Sequence, residues 1–237
     1  MKIDYKDSDL VVAIHQPNYL PWLGYFYKIF KSDVFVFLDD VQYSNEGMHN
    51  YTYIKTSKGP FRLKYPVQQK FGDKILEVRS KDEMGWKEKH LSIVESNYRS
   101  AKYFNEIFSD YKRILLVRYA DIVSLNTALI RYYVSRLGFS ARFINSSELN
   151  INLARNERII TICKTLGAGV YYSGTGAKTY QDENQFRESG ITIRYSDFSP
   201  IRYTQLWGQY QQNVTSLDFF MNCGYDWDYV LRNQQVQ

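Results

Sequence analysis

The sequence has few of the residues that cross-link small folds or build metal centres. Among its 237 residues are two cysteines and three histidines. Cys163 and Cys223 form no Cys-x-x-Cys pair, which argues against a zinc knuckle and a disulfide framework. The separations between His15, His49 and His90 match no compact zinc-ligand motif. We therefore expect a reducing compartment and no tightly bound metal.

Long apolar runs and strong charge are also missing. No stretch approaches the roughly 20 apolar residues that a membrane span needs, and the first ten residues have no apolar signal core. These absences predict a cytoplasmic protein without a membrane span. The net charge of +5 is mild and spread along the chain. It argues against nucleic acid and favours a phosphorylated small molecule as partner.

Aromatic residues, in contrast, are abundant. The chain contains 22 Tyr, 14 Phe and 4 Trp. Tyrosine combines a flat apolar body with a polar tip, so it serves ligand-facing surfaces as well as cores. We expect the rings within the polar motifs below to stack on a sugar or a nucleobase, and those on apolar helix faces to pack in the core.

Alternating strand and helix patterns predict the fold class. Residues 10–14 and 34–38 are continuous apolar runs, which is typical of strands covered on both faces. The further predicted strands are 141–144, 170–172 and 191–195. The predicted helices are 22–30, 87–98, 119–137, 157–166, 183–189 and 216–222. This order predicts an α/β protein with an open, mostly parallel, Rossmann-like sheet flanked by helices.

One segment departs from that alternation. Residues 61–67 alternate between apolar and polar side chains after a turn-like Ser-Lys-Gly-Pro sequence at 57–60. This pattern is typical of an antiparallel hairpin with one wet face. We predict a single domain, residues 1–237, with a hairpin insertion at about 51–80 and a C-terminal helical segment at about 200–237.

The densest polar motif follows the first predicted strand, at the edge where open α/β sheets bind ligands. His15, Asn18, Tyr19 and Trp22 crowd into a loop that two prolines stiffen. A histidine in such a turn can simply bond a backbone carbonyl. A ligand-binding role and this structural role are both open.

A second polar motif follows the next strand. If the sheet is parallel, Asp39 and Asp40 lie at the same edge as His15, with Gln42 and Tyr43 just beyond them. Adjacent side chains on an extended chain point to opposite sides, so one carboxylate can orient the imidazole or bind a sugar hydroxyl. A hydrated Mg²⁺ site and a plain strand end are the alternatives.

Four further candidates lie on the predicted hairpin and on the next helix. His49 and Asn50 open the hairpin, and Lys55 follows them. His90 lies on the apolar face of the 87–98 helix, where a buried packing histidine is the alternative to a ligand-binding one.

A glycine-containing turn follows the strand at 170–172. Its sequence is Ser173-Gly174-Thr175-Gly176-Ala177-Lys178. Glycine lets backbone N–H groups approach an anion, and lysine adds charge. The spacing matches neither a Walker A loop nor Gly-x-Gly-x-x-Gly. A phosphate or carboxylate site and an ordinary strand-to-helix turn both stay open. Cys223 could act as a thioester nucleophile only if a base lay close to it and its pKa were lowered.

These motifs together resemble the WbqC-like family, whose members are associated with gene clusters for bacterial O-antigen and related surface polysaccharides. The resemblance rests on His-Gln-Pro-Asn-Tyr-Leu-Pro-Trp-Leu-Gly-Tyr-Phe from position 15 and Ser-Asp-Val-Phe-Val-Phe-Leu-Asp-Asp-Val-Gln-Tyr from position 32. Lys-His-Leu at 89–91 and Tyr-x-Ser-Gly-x-Gly-Ala-Lys-x-Tyr at 171–180 extend it, and Ser-Leu-Asp-Phe-Phe-Met-Asn-Cys-Gly at 216–224 ends it.

The resemblance marks a set of positions and two departures. The marked residues are His15, Pro17, Asn18, Pro21, Trp22, Gly24, Asp39, Asp40, Gln42, Tyr43, Asn50, Lys55, His90, Ser173, Gly174, Gly176, Lys178 and Asp218. The sequence departs from the family pattern at Tyr51, where an arginine is expected, and at Ser199, where a histidine is expected before the proline.

The resemblance implies an enzyme of surface polysaccharide synthesis. Amino sugars in such polysaccharides often carry acyl or aminoacyl groups, so the leading hypothesis is an N-acyltransferase-like reaction on a nucleotide-linked amino sugar. His15 would be the base, oriented by Asp39 or Asp40, and the 173–178 turn would hold a diphosphate or an oxyanion. An acyl thioester or a nucleotide would be the co-substrate. A nucleotidyltransferase or adenylate-forming ligase and a non-catalytic sugar-binding module are the alternatives.

Overall fold

The computed structural model describes residues 9–234. The strands are β1 (Val11–His15), β2 (Val34–Phe37), β3 (Tyr51–Thr56), β4 (Gly59–Lys64), β5 (Val67–Gln68), β6 (Arg79–Ser80), β7 (Arg142–Asn145), β8 (Val170–Ser173) and β9 (Thr192–Tyr195). The helices are α1 (Leu23–Phe30), α2 (Trp86–Tyr98), α3 (Phe104–Leu115), α4 (Ile122–Leu137), α5 (Arg155–Thr165), α6 (Glu183–Glu188), α7 (Ser216–Cys223) and α8 (Trp227–Gln234). Most of the N-terminal segment in which we expect no signal core lies outside the described residues.

The predicted fold class is confirmed. A five-stranded sheet has the order β7-β2-β1-β8-β9, and each neighbouring pair in it is parallel. The predicted hairpin is formed by β3 and β4, which pair antiparallel, and β5 and β6 form a second small antiparallel pair. The structure is therefore an α/β fold with an antiparallel hairpin, as the sequence pattern predicts.

The apolar runs of β1 and β2 have a direct structural reason. Val12, Ile14, Val34 and Val36 alternate onto one face of the sheet and pack with side chains of α5 and α6. Residues between them, such as Phe35, turn to the other face, where they are equally buried. Because both faces are covered, every position of these strands favours an apolar side chain.

Close contacts between residues divide the chain into two compact units, each built from three segments. The first unit contains residues 9–16, Tyr27–Asp39 and Phe139–Phe198, and it holds the whole parallel sheet. The second contains Pro17–Phe26, Asp40–Gly138 and residues 199–234. Our prediction of a single domain stays a prediction.

The second unit combines the β3–β4 hairpin with α2, α3, α4 and α7, of which α3 packs against the other three helices. Helix α4 begins where the Asp121 side chain accepts a hydrogen bond from Ser124 N, and it ends at Gly138, whose φ of +72° favours glycine. Helix α3 was not anticipated from the sequence, whereas α8 lies within the C-terminal helical segment expected at about 200–237. Within residues 9–234, no helix is both long and apolar enough to cross a bilayer.

Candidate functional site

The strand order of the first unit reverses beside its central strand, and in open α/β sheets such a reversal marks a crevice at the carboxyl edge. The chain passes from β1 outward through β2 to β7, and then returns to the other side of β1 to form β8 and β9. Open α/β sheets bind ligands at such a reversal, outside the carboxyl ends of the strands on either side of it. In this unit the reversal lies between β1, which ends at His15, and β8, which ends at Ser173.

His15 is held by a backbone group of its own loop. Its Nδ1 lies 3.0 Å from the carbonyl oxygen of Gln16. Because a carbonyl only accepts hydrogen bonds, Nδ1 is the protonated nitrogen of the neutral ring and Nε2 keeps the lone pair. The half-buried imidazole is therefore in the tautomer that a general base at Nε2 requires.

Asp39 is bound to the turn that follows β7. One carboxylate oxygen accepts hydrogen bonds from Ser146 Oγ at 3.1 Å and Ser147 N at 2.9 Å, and the other accepts from Ser147 Oγ at 2.7 Å. The side chain is buried. These bonds tie the end of β2 to the end of β7. An orienting contact between Asp39 and His15 stays a prediction, as does the same role for Asp40, which is half-buried and begins the next segment of the second unit.

The glycine-containing turn follows β8 as predicted, and a 3-10 helix, Thr175–Thr179, forms part of it. The hydroxyl of Ser173 hydrogen-bonds the side-chain amide of Gln181 at 3.0 Å. A Cβ atom added to Gly174 or Gly176 would meet no protein atom within 4 Å. The exposed Lys178 ammonium lies 5.4 Å from the centre of the Tyr195 ring. The turn thus offers open backbone and a cation near the crevice.

Tyr19 and His90 lie in the core of the second unit. The Tyr19 hydroxyl is 3.1 Å from His90 Nδ1 and 2.7 Å from the hydroxyl of Tyr111. The Tyr65 ring packs edge-on against Tyr19 and stacks on Trp86. Burial lowers the pKa of His90 to about 4, so its imidazole is neutral near pH 7. Hydrogen bonding and packing in the core account for both residues, and their roles in substrate binding stay predictions.

Two of the hairpin candidates, His49 and Asn50, are buried in the second unit directly before β3. Neither ring nitrogen of His49 makes a well-formed hydrogen bond within the described chain. Burial lowers its pKa to about 4, an effect that the Pro17 carbonyl partly opposes. Asn50 accepts a hydrogen bond from the Tyr43 hydroxyl at 3.1 Å and donates one to the Tyr65 carbonyl at 2.7 Å. These contacts fix the entry to β3.

Lys55 and Asp218 are buried charges of the second unit. Lys55 Nζ donates to the carbonyl of Gln209, and burial lowers its pKa. The Asp218 carboxylate accepts 2.8 Å hydrogen bonds from the hydroxyls of Tyr98 and Tyr203. Burial raises the pKa of Asp218, although these hydrogen bonds and the charge of Lys55 oppose that effect. The resemblance marks both Lys55 and Asp218, and the charge of each favours the charged form of the other.

The remaining candidates of the second unit differ in exposure. Asn18 is buried, and its Oδ1 has no hydrogen-bond partner among residues 9–234. Trp22 is half-buried and lies so close to Gly24 that a Cβ there would be 2.2 Å from the indole. Gln42 is exposed, and its backbone forms a bridge with Lys74. Glycine at position 24 is therefore needed for the packing of Trp22.

The cysteines do not meet the condition for nucleophilic catalysis. Burial raises the pKa of both Cys163 and Cys223 to about 12, and the charges of Asp218 and Asp226 add to the effect at Cys223. A thiol with so high a pKa is almost entirely protonated near pH 7. Across the described part of the chain, no three His, Cys, Asp or Glu side chains converge as a metal-binding group would.

The sequence over residues 16–228 matches the family model described as the WbqC-like protein family. The chain belongs to the WbqC-like protein family. It is 37% identical over 217 residues to the uncharacterized protein Rv1507c of Mycobacterium tuberculosis, covering 90% of this chain and 94% of that protein. No solved structure matches the chain.

The structure adds residues to the site that the motifs of this WbqC-like protein did not indicate. Lys28 is buried, and its Nζ donates to the Ile14 carbonyl at 2.8 Å. Ser146 and Ser147 donate hydrogen bonds to Asp39, from which they are separated by more than a hundred residues of sequence. No sequence pattern links these positions. A signal did exist for Lys28, because it is the one charged residue in the apolar run of α1.

Proposed function

We propose that this WbqC-like protein transfers an acyl or aminoacyl group to the amino group of a nucleotide-linked amino sugar. The reaction would belong to the cytoplasmic synthesis of a bacterial surface polysaccharide such as O-antigen. The observation that carries the proposal is the place of His15, at the carboxyl end of β1 beside the reversal of strand order. Membership of the family supports the pathway.

His15 Nε2 is the base in this proposal. The hydrogen bond from Nδ1 to the Gln16 carbonyl supports the role, because it leaves Nε2 free of a proton in the neutral ring. Imidazole can then take the proton that the sugar amine loses as its nitrogen attacks. General bases of this kind contribute about 10²–10⁴-fold to rate.

The turn after β8 supplies the anion-binding part of the proposed site. The backbone at Gly174 and Gly176 is not covered by a side chain, and the exposed Lys178 carries a positive charge. Backbone N–H groups can approach phosphate oxygens closely only where no side chain intervenes. A diphosphate bound here would anchor the nucleotide end of the sugar substrate.

The proposed reaction has two balanced steps. The amine nitrogen of the sugar attacks the carbonyl carbon of a thioester or aminoacyl ester, and His15 accepts the proton that the nitrogen loses. The C–N bond forms, the bond from carbonyl carbon to sulfur or oxygen then breaks, and the leaving group takes the proton from His15. The products are an amide and a free thiol or alcohol.

Mass spectrometry of reaction mixtures tests the proposal. Purified protein is incubated with nucleoside diphosphate-linked 3-amino and 4-amino sugars and with acetyl-coenzyme A or an aminoacyl ester. We expect one sugar to gain the mass of the acyl group. His15→Gln should lower kcat about 100-fold or more with little change in KM. Lys164→Ala, an exposed position on α5, is the control and should react like the unmodified protein.

The same experiment separates the alternatives. A full rate in folded His15→Gln would contradict the assignment of the base. Release of pyrophosphate from ATP in the presence of Mg²⁺, without acyl transfer, would favour nucleotidyl transfer or ligation. Thermal stabilisation by free oligosaccharides, with no response to nucleotide sugars, would favour the binding module.

A further inference from the structure

A buried lysine lies at the point where the strand order of the first unit reverses. Lys28 is 5% exposed, and its Nζ donates a 2.8 Å hydrogen bond to the carbonyl oxygen of Ile14, the residue before His15. Side chains on a helix lean toward its N-terminus. A long side chain on α1 can therefore extend toward the carboxyl edge of the sheet.

The direction of the Ile14 carbonyl follows from the neighbouring bonds. The carbonyls of Val11 and His15 accept from Asp33 N and Leu38 N, on the β2 side of β1. The Leu10 carbonyl accepts from Val170 N, on the β8 side. Carbonyls alternate in direction along a strand. The Ile14 carbonyl therefore faces β8, like that of Leu10.

Lys28 donates a hydrogen bond to β1 at the first residue beyond the pairing of β1 with β8. The paired register of these strands runs from Val11 with Val170 to Ala13 with Tyr172. Ile14 is the next residue, and Lys28 Nζ is the donor to its carbonyl. The ammonium thus lies on the β8 side of β1, next to the point where the pairing of these two strands ends. If this register is continued by two residues, Gly174 falls opposite His15.

The charge of Lys28 has no counterion within the described part of the chain. None of the ion pairs found among residues 9–234 includes Lys28. Burial lowers its pKa to about 7, and no neighbouring charge contributes to that shift. Lysines are rarely buried without a partner. One carbonyl accounts for one of the three N–H donors of an ammonium.

We propose that Lys28 is the buried cation of an anion subsite in this crevice, where it binds a diphosphate oxygen of the substrate. The identity of the substrate as nucleotide-linked rests on the proposed function. The open backbone at Gly174 and Gly176 supports a phosphate as the ligand, because phosphate oxygens can approach backbone amides that no side chain covers. The subsite anchors the diphosphate beside His15.

Other charged or titratable groups lie on the same side of the sheet or on adjoining segments of the first unit. They are His15, Tyr27, Tyr172, Arg194 and Asp197. The Asp197 carboxylate accepts a hydrogen bond from the Tyr172 hydroxyl at 3.0 Å. An anion bound at Lys28 would favour the charged ammonium, so binding near pH 7.5 should take up a proton.

Calorimetry with inorganic pyrophosphate, UDP-glucose and uridine tests the subsite on the full chain. We expect Lys28→Met to weaken binding of pyrophosphate and UDP-glucose at least tenfold and to leave uridine binding unchanged. Lys28→Gln, which keeps an N–H donor without the charge, should show the same losses. Lys31→Met is the matched control, because Lys31 is exposed and lies three residues along the chain, and it should bind like the unmodified protein.

Proton uptake is the second measurement. Binding of pyrophosphate in buffers of different ionisation enthalpy should show net uptake at pH 7.5, which His15→Gln keeps and Lys28→Met loses. Failure of the unmodified protein to bind pyrophosphate would overturn the proposal. The proposal would also be overturned if Lys28→Met bound pyrophosphate as tightly as the unmodified protein. An equal loss of affinity for pyrophosphate and uridine would overturn it too, because such a loss would indicate damage to the fold.

The outcomes also separate this subsite from the transfer reaction. Binding of UDP-glucose through Lys28 without any acyl transfer would support the subsite and contradict the proposed function. Acyl transfer with unchanged pyrophosphate affinity in Lys28→Met would support the reaction and overturn the subsite.

Discussion

Asp39 illustrates, at the scale of one residue, how a carboxylate at a strand end can have a structural use. Its two oxygens accept three hydrogen bonds from Ser146 and Ser147, and the side chain is 2% exposed. A buried carboxylate needs such donors, because an unpaired charge in the interior is costly. Asp39 therefore connects the ends of two neighbouring strands whatever it does for His15.

Removal of this carboxylate should destabilise the first unit. We expect Asp39→Ala to lower the free energy of unfolding by about 3 kcal/mol, because it leaves buried donors without an acceptor. Ser147→Ala should cost about 1–2 kcal/mol. Urea denaturation of both single variants and of the double variant measures the coupling. If Asp39 and Ser147 interact as the structure indicates, the double variant loses less than the sum of the single losses. Simple additivity would contradict the bond.

At the scale of an element, the turn after β8 has glycines at positions where the protein has room for a side chain. Gly174 has a φ of −73°, which other residues adopt readily, and a Cβ there would meet nothing within 4 Å. Neither backbone strain nor crowding within the chain therefore explains glycine at this position. Close approach of a ligand is the explanation that the proposed diphosphate site offers.

Alanine substitutions in this turn should separate binding from stability. We expect Gly174→Ala and Gly176→Ala to keep or slightly raise the melting temperature, because alanine restricts the unfolded chain. The same variants should bind pyrophosphate about tenfold or more weakly. The control is Gly167→Ala in the same unit, where a φ of +72° makes alanine strained. It should lower stability by about 1 kcal/mol and leave binding unchanged. Unchanged pyrophosphate binding in both turn variants would contradict the role of the turn.

At the scale of the whole molecule, buried histidines link stability to pH. His49 and His90 are almost fully buried in the second unit, and burial lowers the pKa of each from 6.5 to about 4. The folded chain keeps both rings neutral, whereas the unfolded chain protonates them below pH 6.5. Their contribution to stability is complete above pH 6.5, declines as the pH falls toward 4, and changes little below that.

This linkage predicts unfolding in mild acid. Each shift corresponds to about 3 kcal/mol, which is a large part of the stability of a typical domain. We expect the free energy of unfolding, measured with urea, to fall between pH 7 and pH 4.5. His49→Gln and His90→Gln should each reduce that fall, and the double variant should reduce it further. An unchanged pH dependence in the double variant would show that other groups are responsible.

The secondary structure of the sheet could be predicted closely from the sequence. All five strands of the parallel sheet begin and end within one residue of their predicted positions. The prediction succeeded because strands covered on both faces must be apolar throughout. Helix α3 was missed, and α8 was expected only as part of a C-terminal helical segment without bounds of its own. In α3 the buried residues do recur at helical spacing, but aromatic residues with weak helix propensity are prominent among them.

The candidate site could be predicted only in part. His15, Asp39 and the 173–178 turn follow predicted strands, so a parallel sheet was enough to assign them to one edge. No local sequence pattern predicts the order of the strands within the sheet. The position of the reversal between β1 and β8 therefore could not be predicted either. The same holds for Lys28, whose burial depends on how α1 packs.

Local periodicity and strand-end motifs thus specify the elements and the edge of the sheet that carries the polar residues, because both depend on neighbours along the chain. The partners of each polar group depend on folding. Asp39 meets Ser146 and Ser147 because strands distant in sequence become neighbours in the sheet. Lys28 meets the Ile14 carbonyl because α1 packs against the sheet and its side chain loses access to water. Burial also sets which groups are charged, since the cost of desolvation lowers the pKa of Lys28 and of the two buried histidines.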